Sequence, residues 1–122
     1  GWTDILQPAF LAVLRSCAGV VYPSCAEGGA GSVICCMHGG LIPIVTRQAS
    51  VDVLDFGFEH RDDSIDTIVA DVRRVAQLPA AELAARARAA WEHVRRVHTR
   101  ENFHRVWRDY ARAELRLDLA PD

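Results

Sequence analysis

Between Val20 and Met37 an apolar segment, Val20-Val21-Tyr22, passes through Pro23-Ser24-Cys25-Ala26-Glu27-Gly28-Gly29-Ala30-Gly31 into a second apolar segment, Ser32-Val33-Ile34-Cys35-Cys36-Met37. A strand, a Gly-rich turn and a helix start in that order make an anion-binding layout. The first backbone N–H groups of a helix have no intrahelical partner and sit at the positive end of its dipole, so a phosphate docks there without a basic side chain. Glycine lets the backbone approach the ligand closely. Glu27 is out of place beside a phosphate unless it accepts hydrogen bonds from hydroxyls next to that phosphate. A sugar diphosphate supplies both groups.

Read on through His38-Gly39-Gly40-Leu41-Ile42-Pro43-Ile44-Val45-Thr46, the segment resembles the C-terminal domain of retaining glycosyltransferases built from two Rossmann domains, the glycogen and sucrose synthase superfamily. In that family a strand ending in Pro-Ser leads to Glu-Gly, a helix, then Gly-x-Pro and a second apolar strand. The pattern covers roughly residues 1 to 60, and the remainder agrees only in having a helical tail. The resemblance implies a nucleotide-sugar donor, with Glu27 as the catalytic-site carboxylate on the sugar hydroxyls. It also implies that Ser24 and the backbone of Gly28, Gly29, Ala30, Gly31 and Ser32 hold the diphosphate. Eight residues after the first Glu the family has a second, which bonds the ribose, and here that position is Cys35. A thiol is a poor acceptor for a ribose diol.

Those residues need a scaffold, and the surrounding pattern predicts an α/β one. Pro8 opens a helix carrying Phe10, Leu11, Val13 and Leu14 that ends near Cys17 and Gly19. Val20 to Tyr22 is a short continuous apolar run, as in a strand covered on both faces. Ser32 to Met37 forms a short helix closed by Gly39-Gly40, and Ile42 to Thr46 the next strand, so residues 18–46 read as a βαβ unit. Ligands bind at the C-terminal ends of such strands, where Ser24 to Gly31 falls.

Past Gly57 the expectation is helix only. Ile65, Ile68, Val69, Val72, Val75 and Ala76 recur at helical spacing, as do Leu83, Ala87, Trp91, Val94 and Val97 or His98, with Pro79 between the two series. A third helix starts from a Thr99 N-cap and lines up Phe103, Val106, Trp107, Tyr110 and Ala111. Packing of this stripe on the domain's own sheet is the expectation, with the end around Trp107 and Tyr110 left for an N-terminal domain. The fold class is thus a partial Rossmann-like parallel sheet over residues 1–63, a three-helix tail over 64–118 on the same core, and a disordered terminus at 119–122.

The chain of 122 residues, half of them apolar, suffices for one core. Its longest apolar runs are far short of a membrane span, and Gly1-Trp2-Thr3-Asp4 lacks the pattern of a secretion signal, which makes a cytoplasmic protein the expectation. Gly1-Trp2 reads as the end of a strand, and with no initiator Met the chain reads as a piece of a longer polypeptide. The resemblance implies a missing N-terminal Rossmann domain in cis that brings the acceptor-side His and the basic pair on the diphosphate.

The net charge of −2 hides an asymmetry, since residues 1–63 carry three Arg against seven acidic residues and residues 64–118 eleven Arg against eight. These Arg alternate with Asp and Glu along the helices, as on a solvated face, so nucleic-acid binding is not expected. Cys17, Cys25, Cys35 and Cys36 contain no Cys-x2-Cys pair, so neither a metal nor a disulfide is expected, and Cys17, Cys35 and Cys36 read as small core residues. Cys25, beside the helix start, is the thiol placed for reactivity. His38 falls in an apolar helix, His60 in a polar loop and His93, His98 and His104 on Arg-rich helices, without a partner at triad spacing. No catalytic His is therefore expected, and the resembled fold, which uses helix N-terminal amides with Arg or Lys, implies no metal and no cofactor beyond the nucleotide-sugar. Two other readings fit the same residues: a degenerate glycosyltransferase-like interaction domain, and another α/β phosphate-binding module.

Overall fold

A computed structural model describes residues 4, 5 and 7–117. Helix α1 (Pro8–Arg15) starts on its proline, which has no N–H to leave unpaired, and buries Leu14. Strand β1 (Gly19–Tyr22), helix α2 (Gly31–His38) and strand β2 (Ile42–Val45) follow, forming the predicted βαβ unit. A 3₁₀ turn (Arg47–Ala49) leads to strand β3 (Phe58–Glu59), and helices α3 (Ile65–Ala76), α4 (Ala80–Val97) and α5 (Arg100–Ala113) complete the order.

The three strands pair in parallel in the order β1-β2-β3, with Gly19 opposite Ile42, Tyr22 opposite Val45 and Ile44 opposite Phe58. All four residues of β2 are buried, as a central strand covered on both faces requires. The molecule is therefore an α/β fold of partial Rossmann-like type. Its core joins Ala30, Val33 and Met37 around α2, Val45 of β2, Ala49 and Phe56 of the β2–β3 connection, and Ala90 and Val94 of α4. Among the described residues, no helix is long and apolar enough to cross a membrane.

Two glycines are set by geometry. Gly40 sits at φ 84° just past α2, and the Leu41 N–H reaches the Cys36 carbonyl (3.1 Å) while the Gly40 N–H reaches that of Met37 (2.9 Å). This pair of bonds around a left-handed residue ends the helix and turns the chain into β2. Gly57 lets β3 lie against β2, because a Cβ there would fall 2.8 Å from Pro43 Cγ and 2.9 Å from Val53 Cβ.

Four expectations are corrected. The chain past Gly57 is not helix only, since Phe58 and Glu59 add a third strand. Two residues are too short a run to register as a period. The α5 stripe is exposed beyond its expected end at Trp107 and Tyr110: Phe103 and Val106 do not pack on the domain's own sheet either, and of the stripe Ala111 alone is buried. It is α4 that covers β2 and α2. Trp91 stands at the rim of that contact beneath the Arg95 guanidinium, and His93 takes the buried position. Cys17 is exposed rather than core, and Cys35 and Cys36 are half-buried. The strand end at Gly1-Trp2 and the terminus at 119–122 lie outside the described residues.

Candidate functional site

The Gly-rich turn hangs from the C-terminal end of β1 and runs into α2, and every residue from Cys25 to Gly29 is exposed, as are Gly31 and Ser32. Its course is fixed by bonds to the segment after β2. The Glu27 N–H donates to the Gln48 carbonyl (3.1 Å) and the Ala30 N–H to that of Ala49 (3.2 Å). The Ser50 hydroxyl donates to the Glu27 carbonyl (3.1 Å), and the Thr46 hydroxyl to that of Ser24. Ser50 lies at φ 53° in the left-handed region, which few residues other than glycine enter. The ends of β1 and β2 are thus laced together.

Within the turn, the Tyr22 hydroxyl donates to Glu27 Oε1 at 2.6 Å. The side chain at the end of β1 therefore aims the carboxylate, and the hydrogen bond to Glu27 holds the Tyr22 phenol in its neutral form, raising its pKa. One carboxylate oxygen is committed to Tyr22, and Glu27 is exposed with acceptor capacity left over. The Ser24 hydroxyl points back to the Ala26 carbonyl at 3.4 Å and is not aimed at the helix start.

At the start of α2 no side chain caps the helix. The Gly31 N–H is drawn to the Gly29 carbonyl (2.8 Å) and the Val33 N–H to that of Ala30 (2.9 Å), while among the described residues the Gly28, Gly29 and Ser32 amides form no backbone hydrogen bond. A Cβ built on Gly28, Gly29 or Gly31 would meet no heavy atom within 4 Å. Packing against the protein does not require these three glycines. Their bare backbone faces open space beside the Glu27 turn. Cys35 lies one turn into α2, half-buried, and burial raises the pKa of its neighbour Cys36. Cys25 is exposed in the turn.

A polar cleft of about 290 Å³ opens at the C-terminal ends of β2 and β3, lined by Thr46, Arg47, Gln48, His60, Arg61 and Asp62 among others. Gln48 belongs both to this cleft and to the bond holding Glu27. The Arg47 and Arg61 guanidiniums here were not singled out as site residues, although the position of Arg47, two residues past an apolar strand, is the signal that marks it. Asp62 accepts from the Ser64 hydroxyl (2.6 Å) and N–H (3.0 Å), and these bonds, with one from Thr67, hold its carboxyl far below the usual range.

His60 lies in the expected loop, but buried. It follows β3 directly, is 4% exposed, and its Nδ1 lies 2.8 Å from Asp71 Oδ2 on α3, while Arg74 holds the other oxygen of Asp71 at 3.1 Å. With Nδ1–H donating to the carboxylate, the pair pins the end of β3 to α3. His93 on α4 likewise meets Asp52, at 3.3 Å. Both pairs join residues far apart in the chain, which is why spacing did not reveal them.

What the fold itself defines is a small parallel α/β chain with an open, Gly-rich helix start at the strand ends. Compared with protein-family models, curated proteins and solved structures, the chain matches none.

Proposed function

We propose that this chain is the donor-binding half of a glycosyltransferase, taking a nucleoside-diphosphate sugar. The observation that carries the reading is the juxtaposition of a Tyr22-oriented Glu27 carboxylate with the free amides of Gly28 and Gly29 in the turn and of Ser32 at the uncapped start of α2. Free amides at a helix N-terminus suit a diphosphate, and an exposed carboxylate beside them suits the hydroxyls of the attached sugar. Neither feature serves the other's ligand. Ser24 holds the turn rather than the diphosphate, since its N–H donates to the Tyr22 carbonyl, its carbonyl accepts from Thr46 and its hydroxyl is turned to Ala26.

In this reading, residues of the chain hold the donor, and an N-terminal Rossmann domain in cis supplies the acceptor side and basic groups on the leaving diphosphate. Transfer requires donor and acceptor held in line across the cleft between them, with the departing charge stabilised. This half alone binds and does not turn over. The exposed aromatic stripe of α5 is the surface on which such a domain would pack. Titration calorimetry with UDP, GDP and ADP tests the reading: weak binding of at least one is expected, with free sugars hardly bound. No heat and no chemical-shift response to any of the three at millimolar ligand would sink it.

A second reading, a degenerate half kept for interaction, is favoured by Cys35. In the resembled family a Glu at that place meets the ribose, and here a half-buried thiol stands in the apolar helix. The two readings separate on nucleotide binding alone.

A further inference from the structure

We propose that Asp52, His93 and His98 form a binding site for a zinc-class divalent cation where the end of α4 meets the β2–β3 connection. The proposal is independent of the nucleotide-sugar reading. His93 lies one turn before the end of α4 at Val97 and His98 is its C-cap, at φ −98° and ψ 58°, where the backbone leaves the helix. That departure keeps the two imidazoles together, with ring centroids 6.3 Å apart in an edge-on arrangement. Asp52 reaches them from the loop that follows the Arg47–Ala49 turn.

One donor atom from each of the three residues lies within 4.8 Å of the others. His93 Nε2 and Asp52 Oδ2 are 3.3 Å apart. That is long for a charge-assisted hydrogen bond, which typically spans about 2.7–2.9 Å. It equals the edge of a tetrahedron whose nitrogen and oxygen ligands sit about 2.0–2.1 Å from zinc, which works out to roughly 3.3 Å. The spacing of this pair already matches two corners of a coordination sphere.

The second observation is the unmet bonding capacity. Among the described residues His98 Nε2 is buried and lacks a hydrogen-bond partner, and it stands beside the His93 side chain, which is only 8% exposed. Buried polar atoms are nearly always paired, and each unpaired one carries a desolvation cost. With His93 Nε2 facing Asp52, the unpartnered His98 Nε2 completes an N2O donor set of two imidazoles and a carboxylate. Imidazole with carboxylate suits zinc and its borderline neighbours better than magnesium or calcium, which take oxygen. Asp52 is 59% exposed on its side chain, so the cation has an entry path and a fourth position facing water. An open fourth position is the form taken by sites that bind exchangeable water or substrate rather than closed structural ones.

The four free cysteines are the competing zinc ligands, so the test separates thiolate from imidazole. Zn²⁺ is titrated into the chain by competition with a chromogenic chelator, with thermal unfolding in parallel, and Co²⁺ serves as a spectroscopic substitute. One equivalent is expected to bind and to raise Tm, with Co²⁺ giving visible bands of a low-coordinate site and no thiolate charge-transfer band. Asp52→Ala and His98→Ala each weaken binding by at least about tenfold, since even an outer-shell change at a metal site typically costs that much. Asp52 is at the surface, so Asp52→Ala reads out even where a histidine variant fails to fold. Absence of stoichiometric binding, wild-type affinity in Asp52→Ala, or a thiolate charge-transfer band each overturns the proposal.

Discussion

Gly31→Ala separates what the fold needs at the start of α2 from what a ligand needs there. Gly31 is the first helical residue, and a Cβ on it meets no heavy atom within 4 Å. Alanine at such a position removes conformational freedom from the unfolded chain without straining the folded one, a gain of about 0.4–1 kcal/mol. For 122 residues the unfolding entropy is about 0.26 kcal/mol/K, so Tm rises by about 2–4 °C. If a diphosphate seats on the amides of this turn, the same methyl intrudes on it. An overpacking cost of about 1–3 kcal/mol converts to roughly a 5- to 150-fold loss of affinity. Differential scanning calorimetry and nucleotide titration of the same variant read the two effects, which have opposite signs. A gain in Tm with unchanged nucleotide affinity would refute the diphosphate contact. A fall in Tm would refute the openness of the helix start.

Glu27→Gln, in a polypeptide competent for transfer, should lower turnover more than diphosphate binding, by about 1.5–3 kcal/mol for a lost charge-assisted hydrogen bond; equal losses measured by kinetics and calorimetry would make Glu27 a loop-holding residue instead. Tyr22 should ionise at higher pH than an ordinary phenol in a near-UV alkaline titration, because it donates to the Glu27 carboxylate, and Tyr22→Phe should remove that high-pH component. Cys35→Glu should lower Tm without improving nucleotide affinity, since a carboxylate on the apolar α2 lacks a partner; a clear gain in affinity at unchanged Tm would favour the degenerate-domain reading. Asp62→Asn should destabilise the chain at neutral pH. The folded-state pKa of Asp62 is depressed, so its contribution is present above the unfolded value of about 3.9 and fades as pH falls below it; wild type and variant should converge in acid unfolding scans.

The helical tail shows where local pattern stops carrying information. Thr99 was readable as an N-cap, and its hydroxyl does accept from the Asn102 N–H at 3.1 Å, because capping is settled within four residues. The same helix carries a strong apolar stripe, yet a stripe states only that one face avoids water, not what covers it. Here α4 already occupies β2 and α2, and Phe103 and Trp107 are left at the surface. In α4 the periodicity picked out Val94, which is buried, but Ala90 and His93 take the other interior positions and Trp91 stays at the surface.

Residues 18–46 were legible because each step of that unit is local: an apolar run, a Gly-rich turn, a short helix ended at Gly40, and a second apolar run. Sequence by itself therefore determined the βαβ unit, the position of Glu27 at a strand end and the bare backbone after it. Tertiary structure alone decided that Tyr22 aims Glu27, that Gln48, Ala49 and Ser50 fix the turn, and that β3 exists. It also decided that His60 meets Asp71 and that His93 and His98 gather with Asp52. Hydrophobic period and backbone conformation are set by near neighbours, whereas the pairing of polar side chains depends on which elements the core brings side by side.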